Sequence, residues 1–158
     1  MADDDFDAIY TERILELAAD IPRLGRLAAP DASASVRSAV CGSKVTVDLT
    51  LGGGRVADFA HDVRACALGQ AASSLMARHV VGADPRDLIA LRETIRRMLK
   101  EHGPPPTGPW AEFAVLEPVR ELPSRHAATL LTFDAVAEAL SKAEPLWRPT
   151  AKTTEVCR

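Results

Sequence analysis

The sequence predicts an α+β domain: a small three-stranded antiparallel sheet with helices packed on one face and an N-terminal helix across it. Three observations carry that prediction. Apolar residues recur at every second position between about residues 36 and 63, glycine-containing breaks cut that stretch into three runs, and periodicity of three and four takes over from Ala67.

The elements follow in order. Residues 6–20 place Ile9, Tyr10, Ile14 and Leu17 on one helical face, behind acidic residues that suit a helix start. Pro22 and Gly25 end that helix, and 28–31 form a loop. Val36, Ser38 and Val40 share a face of a first strand. Val45, Val47, Leu49 and Leu51 then alternate with Thr46, Asp48 and Thr50, the strongest strand pattern in the chain. Gly52-Gly53-Gly54 supplies a hairpin turn, because glycine tolerates positive φ. Ala57, Phe59, His61 and Val63 alternate with Asp58, Ala60 and Asp62 as a third strand.

Leu68, Ala71, Ala72, Leu75 and Met76 mark a helix that Gly82 closes. Asp84-Pro85 is an N-cap followed by proline at the first helical position, and Leu88, Leu91, Ile95, Met98 and Leu99 continue the next helix. The Pro-rich stretch near 103–122, with Trp110, is expected to be an irregular insertion. Pro123 or Ser124 opens a further helix to about Leu140, with a break expected near Thr132-Phe133-Asp134. Residues 1–143 therefore read as one domain, and 144–158 as a polar C-terminal tail carrying Cys157. No internal repeat is present.

Composition narrows the class. A chain of 158 residues buries about 68–70% of its unfolded surface without help from disulfides. With 47% apolar but only 4% aromatic residues, the core must be built from Ala, Val and Leu. The net charge is −3 and no basic stripe interleaves with aromatics, which argues against nucleic acid as a partner. Met1-Ala2-Asp3-Asp4-Asp5 is acidic where a signal peptide needs a basic region, and no apolar run approaches the ~20 residues of a membrane helix. A cytoplasmic, reducing setting is expected, where three cysteines read as reactive or metal-binding before they read as disulfides.

In an antiparallel meander the first turn and the end of strand three share an edge. Cys41 opens the first turn and Cys66 follows strand three, so topology is expected to bring the two thiols together for metal, cluster or sulfur chemistry. Cys66 falls at a helix start, where the dipole favours negative charge. The alternative for either cysteine is a small buried apolar residue. His61 shares its strand face with apolar residues, which fits a hydrogen-bonded core-edge histidine, while His79 and His102 read as helix-surface residues. Asp62 and Arg64 flank the thiols, either tuning their charge or forming a solvated strand end.

Several segments resemble the NifU/IscU-type iron–sulfur cluster assembly scaffolds, most closely their SufU-like branch, over about Tyr10 to Leu140. Tyr10-Thr11-Glu12 and Pro22-Arg23-Leu24-Gly25 are similar to the family's opening helix and the Pro-Arg turn after it. Cys41-Gly42-Ser43 is similar to its Cys-Gly-Asp, and Cys66-Ala67-Leu68-Gly69-Gln70 through Met76 to its second cysteine and the small-residue helix beyond. Arg125-His126-Ala127-Ala128-Thr129-Leu130 resembles the segment of the third cysteine, and the insertion at 104–122 resembles one in the SufU-like branch.

The resemblance implies a SufE/NifU-like architecture and a site of three cysteines and an aspartate, sometimes with a histidine beside the third cysteine. Here Ser43 stands in place of the aspartate and Ala127 in place of the third cysteine, so Cys41, Cys66 and His126 remain as sulfur-accepting or metal-ligating candidates. Neutral imidazole suits iron and zinc, whereas Ser43 is a poor ligand at neutral pH and reads as a turn residue. His126 reads equally as an exposed histidine at a helix start, and Cys157 is either a substitute ligand or a free thiol.

The expected function is a scaffold or a carrier of sulfur and iron, not an enzyme. Its transient cargo would be an iron–sulfur cluster or iron, with zinc as a further candidate. Its partners would be a cysteine desulfurase and apo-protein acceptors, with no nucleic acid or membrane, and a homodimer sharing one cluster would make good the missing ligand. The alternative is a degenerate paralogue that binds assembly proteins without a cluster, and a third reading is a two-thiol redox protein.

Overall fold

The computed structural model describes residues 9–39 and 42–148. Helix α1, Glu12–Ala19, begins where the Thr11 side chain accepts the Ile14 N–H at 3.2 Å, and it buries Ile14 and Leu17. It packs chiefly along the helix that follows the sheet. It thus joins the helical layer instead of lying across the sheet, and residues 6–8 of its expected start lie outside the described residues.

The strands β1, Ala32–Arg37, β2, Lys44–Gly52, and β3, Arg55–Arg64, form the antiparallel sheet in the order β1-β2-β3. The first strand starts earlier than its sequence pattern suggested, and Val40 of that pattern lies outside the described residues. Gly53 and Gly54 turn the β2–β3 hairpin with φ of 62° and 77°, left-handed values that a two-residue turn of this hand demands. Register pairs Ala34 with Val47 and Val47 with His61, so Ala34, Val36, Val45, Val47, Leu49, Phe59, His61 and Val63 share the face that meets the helices.

Ala57 departs from its expected place on that face. The register slips between Thr50 and Leu51, which pair with Asp58 and Val56, and Ala57 is left without a partner. This β-bulge makes Val56 the buried residue and Ala57 an exposed one.

The opposite face is covered over its middle by the chain leaving α1. Residues 22–25 dock on the edge of β3: the His61 N–H donates to Arg23 O and the Gly25 N–H to His61 O. Further on, Arg26 makes a two-pronged ion pair with Asp48, and the Leu27 N–H and the Ser33 hydroxyl also donate to that carboxylate. Asp48 is fully buried, so a polar position in an alternating strand sits under this strap and not in water. Burial pushes its carboxyl up, but the hydrogen bonds from Arg26, Ser33 and Leu27 outweigh that and hold it below the ordinary carboxylate value.

Helices α2, Ala67–His79, α3, Pro85–Lys100, and α4, His126–Lys142, form the helical layer. Asp84 caps α3 by accepting the Arg86 N–H at 2.9 Å, with Pro85 at the first helical position. Helix α4 runs unbroken through Thr132-Phe133-Asp134, because Phe133 is buried in the core and Asp134 pairs with Arg92 of α3. The insertion is regular from Gly108 on: Gly108–Glu121 is a 3-10 helix, in which Phe113, Leu116 and Val119 recur every third residue and are fully buried. Three residues per turn stack such positions into one stripe. A short helix α5, Glu144–Trp147, ends the described chain, with Trp147 buried and its indole N–H donating to Leu140 O at 2.8 Å.

Candidate functional site

The site lies where β2 begins and β3 ends. Lys44 pairs with Arg64, so residues 42–43 and 65–66 leave the sheet at one edge. The β1–β2 connection closes on itself: the Ser38 N–H donates to Ser43 O at 2.8 Å and the Gly42 N–H to Ser38 O at 3.0 Å. Gly42 holds φ 75°, a value that favours glycine. Ser43 is buried, which suits a turn residue.

Cys66 is the N-cap of α2, with extended φ −69° and ψ 174°. Its carbonyl takes the first helical bond, from the Gln70 N–H at 2.8 Å, while its side chain makes no capping bond. The thiol is free and half-buried, packed against the core but not sealed within it. No acidic residue occupies the first turn of α2.

Helix α4 begins beside α2. Gly69 makes the approach feasible, since a Cβ there would lie 2.7 Å from Ala65 Cβ and 3.1 Å from Ala128 O. Two residues earlier, at the start of α4, the buried His126 points Nε2 at Val119 O (3.1 Å) and Arg120 O (3.3 Å). Both partners are acceptors, so Nε2 is the donor, and a neutral ring has its lone pair on Nδ1. A ring nitrogen held by a backbone carbonyl while the other is left for a metal is the usual arrangement of a ligating histidine. Ala127, at the position of the expected third cysteine, is exposed in the first turn of α4.

Of the residues expected from sequence, the structure therefore describes Cys66 and His126 on helix starts that abut. Cys41 and Cys157 lie outside the described residues, and the Cys41–Cys66 convergence with them. Among the described residues no three His, Cys, Asp or Glu side chains are grouped to hold a metal ion.

Two of the other histidines are held by neighbours within the fold. His61 is fully buried, stacks edge-on to Phe59 and approaches Pro22 O at 2.9 Å through Nε2, but Nδ1 has no partner among the described residues. Burial pushes its pKa down more than the Pro22 bond raises it. His79 is not a free surface group: it meets Glu112 at 2.7 Å, and Glu112 also holds Arg13. His102 lies past the end of α3 with φ 54°. Sequence reasoning also passed over a row of cations, Arg37, Lys44 and Arg64, which strand register makes direct neighbours.

A three-strand meander backed by helices, with a free thiol where the sheet hands over to its first backing helix, defines a recurrent class of α+β domain. A solved NifU-like protein (N-terminal) from Brucella abortus is 55% identical, with a TM-score of 0.87 over 89% of this chain and 97% of that one. A candidate iron–sulfur cluster assembly scaffold protein for the SUF system from Fervidobacterium islandicum AW-1 has the same fold, with a TM-score of 0.78 at 19% identity over 84% and 96% of the two chains. Residues 9–114 match the family model of the NifU-like N terminal domain, and the chain belongs to that family. No curated protein matches it. Among the described residues no helix is long and apolar enough to cross a membrane.

Proposed function

We propose that this protein is an iron–sulfur cluster assembly scaffold, or a carrier of sulfur and iron, working through Cys41, Cys66 and His126. Membership of the NifU-like family supports the role. The observation that carries the site is Cys66: a half-buried free thiol at a strand-to-helix junction whose side chain makes no capping bond.

As a sulfur acceptor, the Cys66 thiolate attacks the outer sulfur of a persulfide on a cysteine desulfurase. A new S–S bond forms at Cys66, the donor's S–S bond breaks, and its cysteine leaves as a thiolate. As a scaffold, Cys41 and Cys66 supply thiolates and His126 a neutral imidazole to iron or a cluster as cargo, with zinc as an alternative occupant. Three donors leave a cluster short of a ligand, which Cys157, a small thiol or a second protomer would supply. Apo-protein acceptors would then take the cluster.

Anaerobic reconstitution with iron and sulfide tests this. Visible absorbance is expected in the wild type, lost in Cys41→Ser and Cys66→Ser and weakened in His126→Ala. A colourless, metal-free wild type would overturn it. The exposed Ala127, at the third-cysteine position, favours a second reading: a degenerate scaffold that binds assembly proteins without a cluster. Colourless protein that still binds a desulfurase would establish that one.

A further inference from the structure

The rim beside Cys66 is one-signed in charge. Residues 32–47 and 63–77 carry Arg37, Lys44 and Arg64 and no carboxylate, in a chain with 22 acidic residues and a net charge of −3. Register sets Arg37 opposite Lys44 and Lys44 opposite Arg64, so three cations stand side by side on one face, about 5 Å apart at their Cα atoms. Like charges directly opposite one another destabilise a sheet.

Little among the described residues offsets them. Among the described residues Arg37 and Lys44 have no ion pair, and Arg64 has Asp62 at 3.8 Å with both side chains more than half exposed. Asp62 is the one carboxylate in the last three rows of the sheet. The N-terminal end of α2 adds partial positive charge at the same edge, with no acidic residue in its first turn. Most other arginines described here are paired, as Arg26 is with Asp48, Arg92 with Asp134 and Arg96 with Glu93.

We propose that the Arg37–Lys44–Arg64 row is a docking surface for an acidic face of the protein that delivers sulfur to Cys66. The cost of the row is recovered when carboxylates of the partner lie over it, and its position steers the donor's persulfide toward the thiol. A protein fits better than a nucleic acid, since no aromatic side chain stands in these rows to stack a base. The inference rests on the function proposed above.

The test is association of the full chain with the cysteine desulfurase of the same organism, at low and at physiological salt. Wild type should bind with an affinity that falls as salt rises. R37E/K44E/R64E should bind at least about tenfold more weakly, mostly through slower association, and lose much of the salt dependence. Arg55→Glu with Arg86→Glu, at the hairpin end of the sheet and away from the rim, should stay within about twofold of wild type. The milder R37Q/K44Q/R64Q, with its fold checked by circular dichroism, guards against a misfolded triple variant and should fall in between. Unchanged affinity and salt dependence in both triple variants, or no desulfurase binding by wild type, would overturn the proposal. Stronger binding to single-stranded DNA than to the desulfurase would do the same. Iron and sulfide reconstitution needs no partner protein, so coloured wild type with a failed docking test leaves the scaffold reading standing.

Discussion

The two ends of the sheet use the same strands for opposite purposes. At the hairpin end every strong group is used to hold the chain: Gly53 and Gly54 turn it, the Val56 N–H donates to Ala83 O, the Gly82 N–H to Val56 O, and Arg55 to Gly82 O at 3.1 Å. Arg86 and Asp84 pair beside it, and Trp147 lines the same cleft. At the thiol end Ser38 bonds across the turn to Ser43 and Gly42, but among the described residues two of three cations lack an ion pair and the helix starts on a thiol that caps nothing. A fold settles its backbone everywhere, and charge left unsettled marks where something else is expected to bind.

The largest test of that contrast is steric. In an open helix Gly→Ala gains about 1 kcal/mol of propensity. At Gly69 the added methyl meets Ala65 and the Ala128 carbonyl, so Gly69→Ala should instead destabilise by about 1–3 kcal/mol in urea unfolding. An increase in stability would show that α2 and α4 are not wedged together beside Cys66.

An intermediate effect concerns acid. The folded pKa of His61 lies below its ordinary value near 6.5, so the unfolded chain takes up the proton first. Stability is therefore complete above about pH 6.5 and is lost as pH falls below it toward the folded pKa. Asp48, also lowered, keeps its contribution to more acidic pH, until its own folded pKa is passed. Thermal unfolding followed between pH 7 and 5 should show a loss of stability that is smaller in His61→Gln, which keeps a donor for Pro22 O but does not titrate. An equal loss in both proteins would place the acid sensitivity elsewhere.

The smallest effect has opposite signs at the two ends. Arg37→Ala, Lys44→Ala or Arg64→Ala should leave stability unchanged or raise it by about 0.2–0.5 kcal/mol, by relieving like-charge contact. Arg55→Ala should lower it by about 0.5–1 kcal/mol through the lost bond to Gly82 O. Chemical denaturation of the four variants decides this, and a loss of stability throughout the row would mean its cations are already compensated.

The meander and the two long central helices were legible because period two and period 3.6 are both strong signals, broken by glycines at Gly52–Gly54 and Gly82 and by the Asp84-Pro85 start. The segment 108–121 was not, because Trp110, Phe113, Leu116, Val119 and Leu122 repeat every three residues, a spacing that suits neither strand nor α-helix. The break expected near Thr132-Phe133-Asp134 is absent, because only tertiary structure supplies Asp134 with its partner Arg92. For the site, sequence placed Cys66 at a junction and His126 at a helix start, and the structure adds which nitrogen of that histidine is occupied. The cation row needed register, which sequence does not contain until the bulge is known.

That bulge reaches further than the hairpin. Had Ala57 paired regularly with Thr50 instead of bulging out, Phe59, His61 and Val63 would swap sides with Asp58, Ala60 and Asp62, and the chain would arrive at Cys66 rotated by half a turn about the strand. The direction in which the sulfur atom meets its surroundings is thus set by one alanine at the far end of the same strand.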